Sequence, residues 1–217
     1  MSEGGAGRVL IVDDHPIVRQ GLTQLIAQEN ELEVCGEADD AATALEAVRD
    51  LAPDVAVLDL MLKGSNGVEL IREMKSRNPS VRILVISMHD EAIYAERALK
   101  AGAHGYIMKQ KATNEVLSAL RKVLAGEVYV SDEVIGKILK RMVGGAGPDT
   151  GIERLSDREL EVFQWLGQGL AVSEIADKLK VSPKTIETYR SHIKEKLGLS
   201  SANDVLRVAV AWLENRS

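Results

Sequence analysis

The 217-residue chain holds one cysteine, Cys35, and that scarcity already excludes several architectures. No internal disulfide can form, and no Cys/His cluster with metal-ligand spacing exists, so neither a disulfide framework nor a zinc site organises the fold. Cys35 lies in the strand-like stretch LEVCGEA, where a small buried apolar residue is expected. Long apolar runs are missing too. The longest are of strand length, well short of the roughly 20 residues that span a bilayer, and the opening MSEGGAG lacks the apolar core of a signal peptide. A cytoplasmic protein without a membrane role is expected. Positive charge is in deficit, with 27 Lys and Arg against 33 Asp and Glu and a net charge of −6, which argues against wholesale coating of nucleic acid. Catalytic fingerprints are absent as well: there is no Walker loop and no dinucleotide-binding glycine pattern.

Hydrophobic content of 45% and charged content of 28% are those of an ordinary globular protein, long enough for one large domain or two small ones. Strand-like runs at residues 9–12, 32–36, 55–58, 83–86 and 105–108 alternate with helix-like stretches near 16–28, 41–51, 67–77, 91–101 and 114–124. Five strands, each followed by a helix, predict an α/β domain with a five-stranded parallel, doubly wound sheet. Ligands of such sheets bind beyond the carboxyl ends of the strands, where the strand order reverses.

That rule gives a position to every polar residue that ends a strand. Asp13 and Asp14 follow the first strand, Asp59 the third, Ser87 the fourth and Lys109 the fifth, so all five fall at one edge. Three converging carboxylates repel by several kcal/mol unless a hard divalent cation sits among them, and Mg²⁺ takes oxygen ligands of this kind. With an ammonium and a hydroxyl beside them, the group makes a pocket for a phosphoryl moiety. Each residue alone has a plainer reading: Asp14 before HPIVRQ as a helix cap, Lys109 as a solvated charge, His15 and His104 as structural histidines. Aspartate-based phosphohydrolases and phosphomutases need a second carboxylate two residues after the nucleophile as general acid and base. Here that position is Met61, so catalysis on an external substrate is not expected.

The motifs VDDHP, VLDLMLKGSNGVEL, VISMHDE and AHGYIMK, in this order over residues 8 to 125, resemble the receiver domain of two-component response regulators. The resemblance implies that Asp59 is the phosphoacceptor, and that Asp13 and Asp14 hold Mg²⁺ together with Asp59 and the Met61 carbonyl. It further implies that Ser87 and Lys109 contact the phosphoryl oxygens, and that Tyr106 is an aromatic switch turning inward as Ser87 is drawn to them. Lys63 stands where the family often has proline, which implies a less rigid loop after Asp59.

After Gly126 the texture changes. SDEVIGKILKRMV reads as a short amphipathic helix and GGAGPDTG as an interdomain break, giving a receiver over 1–127, a linker over 128–151 and a second domain over 152–217. The second domain carries only helix signals. Ser156 and Glu159 stand at capping-box spacing, a short helix SEIADKLKV follows, then a turn at 180–182, then a longer helix from Ser182 to Gly198 with Pro183 in its first turn. This is a helix-turn-helix outline. Between Lys178 and Lys196 six basic residues face two acidic ones, a local balance of +4 in an acidic chain. On the longer helix Ile186, Tyr189, Ile193 and Leu197 should face the core. Lys184, Glu187, Thr188, Ser191 and Glu195 should lie opposite, able to reach base edges, with Thr185 beside them and Arg190, Lys194 and Lys196 flanking as phosphate contacts.

The segment from LSDRELEVFQWLGQG to VLRVAV resembles, over nearly its whole length, the four-helix DNA-binding domain of the LuxR class. Joined to a receiver, it is similar to a NarL/FixJ-type response regulator. The resemblance implies a phosphorylation-controlled transcription factor with promoter DNA and a sensor histidine kinase as partners, forming a homodimer when phosphorylated or DNA-bound. A regulator acting through protein or RNA contacts is the alternative. The last helix offers two apolar stripes. Ala202, Leu206, Ala209 and Leu213 suffice to bury it, which leaves Val205, Val208, Ala211 and Trp212 as the expected dimer contact, Trp212 burial within the monomer being the rival reading.

Overall fold

Short runs of aliphatic residues, apolar on both faces, form a parallel sheet because only a sheet covered by helices on each side buries them all. In the computed structural model, which describes residues 6–62, 64–143 and 151–214, the strands are β1 (Gly7–Val12), β2 (Leu32–Ala38), β3 (Val55–Leu58), β4 (Arg82–Ser87) and β5 (Gly105–Met108). Their order is β2-β1-β3-β4-β5, all neighbours parallel. Helices α1 (Pro16–Ile26), α2 (Ala41–Leu51), α3 (Gly67–Arg77), α4 (Glu91–Ala101) and α5 (Ala112–Leu124) alternate with them. Val9, Ile11, Val57, Leu84 and Ile107 pack under α1 and α5 against Leu22, Val116 and Leu120. Lys63 lies outside the described residues. Cys35 is only half-buried, because β2 is an edge strand and the register with β1 shifts beside it.

The opposite edge, β5, is closed by the chain itself. Tyr129 donates its N–H to the His104 carbonyl and accepts the Tyr106 N–H at 2.8 Å, continuing the sheet by one bridge. Beyond it α6 (Asp132–Met142) packs on α4, with Val134 buried and the Ser131 N–H donated to Glu91 Oε1 at 2.8 Å. The linker helix read from the sequence therefore belongs to the first unit, which runs to Val143; the second begins at Gly144. Sequence periodicity sees the amphipathic helix but not the α4 surface that takes it.

The second unit is all helical: α7 (Asp157–Gly167), α8 (Val172–Leu179), α9 (Pro183–Lys196) and α10 (Ala202–Glu214). The expected capping box is present, Glu159 N donating to Ser156 Oγ and Ser156 N to Glu159 Oε2. At Gly167 the α10 backbone comes so near that a Cβ would lie 2.7 Å from the Ala209 carbonyl oxygen.

Two histidines of the first unit are held neutral. His104 Nδ1 accepts the Ile83 N–H, and burial, with Lys75 and Arg82 nearby, pushes its pKa down. Burial pushes His89 down to about 4. For a base with a depressed folded pKa the unfolded chain binds the extra proton. Stability is then complete above the unfolded value of about 6.5 and falls as pH drops from there towards the folded values. Urea melts should show this loss below about pH 6.5. His104→Gln should remove part of the slope, and an unchanged slope would mean that His104 carries none of it.

Candidate functional site: a phosphoacceptor pocket and a helix-turn-helix face

Sheet register builds the pocket. Val12 pairs with Leu58, so Asp13 and Asp59, the next residues, stand side by side at the point where strand order reverses. Ser87 pairs with Met108 on β5, which delivers Lys109 one step beyond. Asp13 and Asp59 are 3% and 2% exposed. Lys109 Nζ lies 2.6 Å from Asp59 Oδ2 and 2.7 Å from Asp13 Oδ2, one ammonium between two carboxylates. Asp59 Oδ1 accepts the Met61 N–H at 3.0 Å. Gly67 lets the loop after β3 fold back, since a Cβ there would lie 2.4 Å from Leu60 Cα.

Burial pushes the Asp59 pKa up, opposed by Lys109 and by the Met61 N–H. Lys109 keeps its proton more firmly than a free lysine: burial works against the charge, but Asp59 and Asp13 outweigh it. The acceptor oxygens of Asp13, Asp14 and Asp59 and a ring nitrogen of His15 lie within 4.8 Å of one another. Three carboxylates in that space, two nearly desolvated, are a hard-oxygen donor set suited to a divalent cation. His15 was not among the expected site residues. Its Nδ1 is 2.7 Å from Asp14 Oδ1 and 3.1 Å from Asp13 Oδ1, and it, not Asp14, occupies the N-cap position of α1, with no side-chain capping bond. Arg19, one turn on, donates to the Asp13 carbonyl at 2.6 Å. The adjacency of His15 to two aspartates was the available signal for it.

Ser87 is fully buried and its Oγ accepts the His89 N–H at 3.1 Å. Tyr106 hydrogen-bonds with Ser87 and donates its hydroxyl to the His89 carbonyl at 2.9 Å. The Tyr106 ring thus already lies inward, 1% exposed, and burial pushes its pKa far up. His89, missed in the sequence, stacks on Tyr94 at 4.3 Å and faces Met61 Sδ.

In the second unit Lys180, at φ +52°, makes the sharp turn between α8 and α9. Ile186 and Ile193 are buried, Tyr189 and Leu197 half-buried, and Lys184, Glu187, Thr188, Ser191 and Glu195 exposed, as the periodicity predicts. Thr185 is half-buried with its hydroxyl on Ser182, the helix cap. Two expected phosphate contacts are engaged elsewhere. Arg190, whose side chain is 18% exposed, donates to Glu187 Oε1 at 2.8 Å. Lys196 Nζ lies 2.6 Å from Glu159 Oε2, tying α9 to α7. Lys194 is half-buried. His192, exposed beside Ser191, turns its Nδ1 towards Glu159 Oε1 at 3.6 Å, on the side where Lys196 joins α7.

The expected dimer stripe is corrected in part. Val205 is fully buried, Val208 is half-buried, and Trp212 meets Phe163 edge-on with ring centroids 5.7 Å apart. Val205 and Trp212 turn inward, Trp212 because α7 offers the aromatic ring, whereas Ala211 is exposed. Leu206, assigned inward, is 40% exposed.

Removing the Lys109 ammonium leaves two carboxylates desolvated and uncompensated. Lys109→Ala should therefore cost about 3–5 kcal/mol in denaturant melts, as for other broken buried pairs. Millimolar Mg²⁺ should restore part of the loss, and Asp59→Asn in the same background should restore more. A cost under about 1 kcal/mol would show that the ammonium does not compensate the pair.

Comparison with known proteins gives this geometry its family. Residues 9–121 match the response regulator receiver domain and residues 153–209 the luxR family of bacterial regulatory proteins. The chain is 34% identical over 203 residues to the response regulator GacA of Pseudomonas aeruginosa, covering 94% of this chain and 95% of that one. It is also 34% identical over 209 residues to the oxygen regulatory protein NreC of Staphylococcus aureus, covering 94% and 96%. Among solved structures, RcsB of Salmonella enterica serovar Typhimurium, bound to a promoter in the presence of the phosphomimetic BeF₃⁻, matches with a TM-score of 0.66 and 31% identity over 95% of this chain and 100% of that one. With a receiver pocket on its sheet and a helix-turn-helix in its second unit, the chain belongs to the response regulators of two-component systems, in the NarL/FixJ class that carries a LuxR-type DNA-binding domain.

Proposed function

We propose that this response regulator accepts a phosphoryl group on Asp59 from a sensor histidine kinase and binds promoter DNA as a homodimer through α9. The observation that carries this reading is the single ammonium of Lys109 shared by Asp13 and Asp59 at the carboxyl edge of β1 and β3. Asp59 offers a desolvated carboxylate oxygen as nucleophile. Its attack forms the acyl–phosphate bond as the donor's bond to phosphorus breaks, and the donor leaves with the electron pair. Lys109 and the buried Ser87 hydroxyl are in reach of the incoming oxygens. Asp13, Asp14, Asp59 and the Met61 carbonyl would hold Mg²⁺, which when bound supplies the positive charge that offsets repulsion between carboxylates and phosphate. Met61 stands where aspartate-based phosphohydrolases carry their second carboxylate, two residues after the nucleophile, so the chain serves as acceptor rather than as an enzyme on external substrates. Tyr106, with Ser87, acts as the switch.

Acetyl phosphate with Mg²⁺ should label Asp59 and no other residue, as read by mass spectrometry. Asp59→Asn or chelation with EDTA should abolish uptake. Label on another residue, or uptake that survives EDTA, would overturn the site assignment.

On the DNA side, an exposed carboxylate near phosphates lowers general affinity, so Glu187 has a use in reading a base edge, where it can accept from a cytosine amino group. Arg190 holds that carboxylate in place. Glu187→Ala should relax preference at one base pair per half-site, costing about 1–3 kcal/mol of discrimination, while nonspecific affinity stays equal or rises. Lys194→Ala should weaken all sequences and reduce the salt slope by about one. Selections on randomised half-sites decide it: an unchanged preference in Glu187→Ala would leave that residue only its ion pair.

A further inference from the structure

Four of the seven exposed large hydrophobic residues among those described, Val128, Ile135, Leu139 and Val143, lie in one short segment around α6. The helix has an inner row, Val134 buried and Ile138 half-buried, that seats it on the receiver. Its outer row is Ile135, Leu139 and Val143, 43%, 54% and 86% exposed at positions i, i+4 and i+8. The adjoining row is Asp132, Gly136 and Lys140, with Asp132 and Lys140 exposed. Gly136 is the informative member. A Cβ there would meet nothing within 4 Å, so nothing among the described residues requires a glycine, and glycine in a helix interior costs about 1 kcal/mol relative to alanine. A bare backbone midway along an apolar helix face suits a second helix that crosses closely at that point.

Charge decides which helix. The first turn of α6 is acidic, Asp132 and Glu133, while Lys137 and Lys140 follow in its second half. Such a helix complements itself when antiparallel and repels itself when parallel. We infer that the outer face of α6 is a self-association surface for a second copy of this chain, the two helices antiparallel and crossing at Gly136. Their i±4 ridges interdigitate at about −50°. Asp132 of each copy meets Lys140 of the other, and Ile135 and Leu139 close over the crossing from both sides. A two-helix contact falls below the roughly 1,200 Å² of a standard interface, so this one is weak alone and acts together with other dimer contacts. The inference stands on the receiver unit and does not depend on the DNA reading.

Disulfide trapping tests it in the full chain carrying Cys35→Ser. Gly136→Cys puts two thiols at the crossing. Lys140→Cys puts them on opposite sides of it, about 12 Å apart along the helices. Under mild oxidation at micromolar concentration, Gly136→Cys should form dimer at least about tenfold faster than Lys140→Cys, a thiol-proximity effect of the kind bond geometry demands. Adding Asp132→Lys should remove that advantage, and adding Lys140→Asp to it should return it. Equal rates at the two positions, or an advantage indifferent to Asp132→Lys, would overturn the proposal. So would a monomer whose hydrodynamic radius grows with Ile135→Glu and Leu139→Glu while Gly136→Cys never crosslinks, because the face would then seat this chain's own second unit.

Discussion

One ammonium between two buried carboxylates is the interaction on which the first unit depends. Asp13 and Asp59 are forced together by strand register, and neither can retreat into solvent because the β1 and β3 residues before them are fixed in the core. Burying a charge without a partner costs several kcal/mol, so the pocket exists only because β5 delivers Lys109 to the same spot. The arrangement spends stability to hold acceptor oxygens desolvated and convergent. A core of aliphatic residues would be the more stable choice, and its absence here is the mark of a site that must bind charge. At the rim His15 Nδ1 lies within hydrogen-bond distance of both Asp13 and Asp14.

The second unit depends on a comparable polar pin. Glu159 is 4% exposed, caps α7 through Ser156, and takes Lys196 from the last turn of α9. One carboxylate thereby fixes both the start of the scaffold helix and the end of the helix with the basic stripe. Glu187 and Arg190 do the same within α9, one turn apart. In a chain of net charge −6 these pairs consume cations that a nonspecific binder would leave free. Fewer cations are thereby left for general attraction to phosphate, while Lys184, Glu187, Thr188 and Ser191 stay exposed on α9.

The sequence makes the pocket legible because a doubly wound sheet converts position in the chain into position in space: a polar residue at the end of an apolar run can only lie at one edge. The same logic marks the capping box and the faces of α9, whose apolar residues recur at clean helical spacing. It fails on α10. That helix is apolar over most of its circumference, with Asn203, Asp204, Arg207 and Glu214 on one side; Phe163 draws Trp212 inward while the close approach at Gly167 seats Ala209 and Leu213 of the other stripe, so the two stripes share the interior. It fails also for Arg190, since nothing local distinguishes a guanidinium that folds back on Glu187 from one that extends to phosphate. The allegiance of α6 was hidden for the same reason: its partner surface on α4 is some forty residues away in sequence.

That long-range contact also defines how the pocket is joined to the rest of the unit. Ser87 Oγ holds the His89 N–H, the His89 carbonyl holds the Tyr106 hydroxyl, Asp90 caps α4 through the Ala92 N–H, and Glu91 holds the Ser131 N–H at the head of α6. Five residues, 87 to 91, thus link the phosphoacceptor edge, the aromatic ring, the start of one helix and the start of the next. Close-packed interiors do not absorb displacement by compressing. If Ser87 moves towards a phosphoryl oxygen, the His89 backbone, the Tyr106 hydroxyl and the α4 cap must each follow or break a hydrogen bond. The Tyr129 bridge fixes β5 on the far side, so the least constrained response is movement of the α4 terminus and of the α6 residues pinned to it. A displacement that starts at Ser87 would thus have a hydrogen-bonded route to the head of α6.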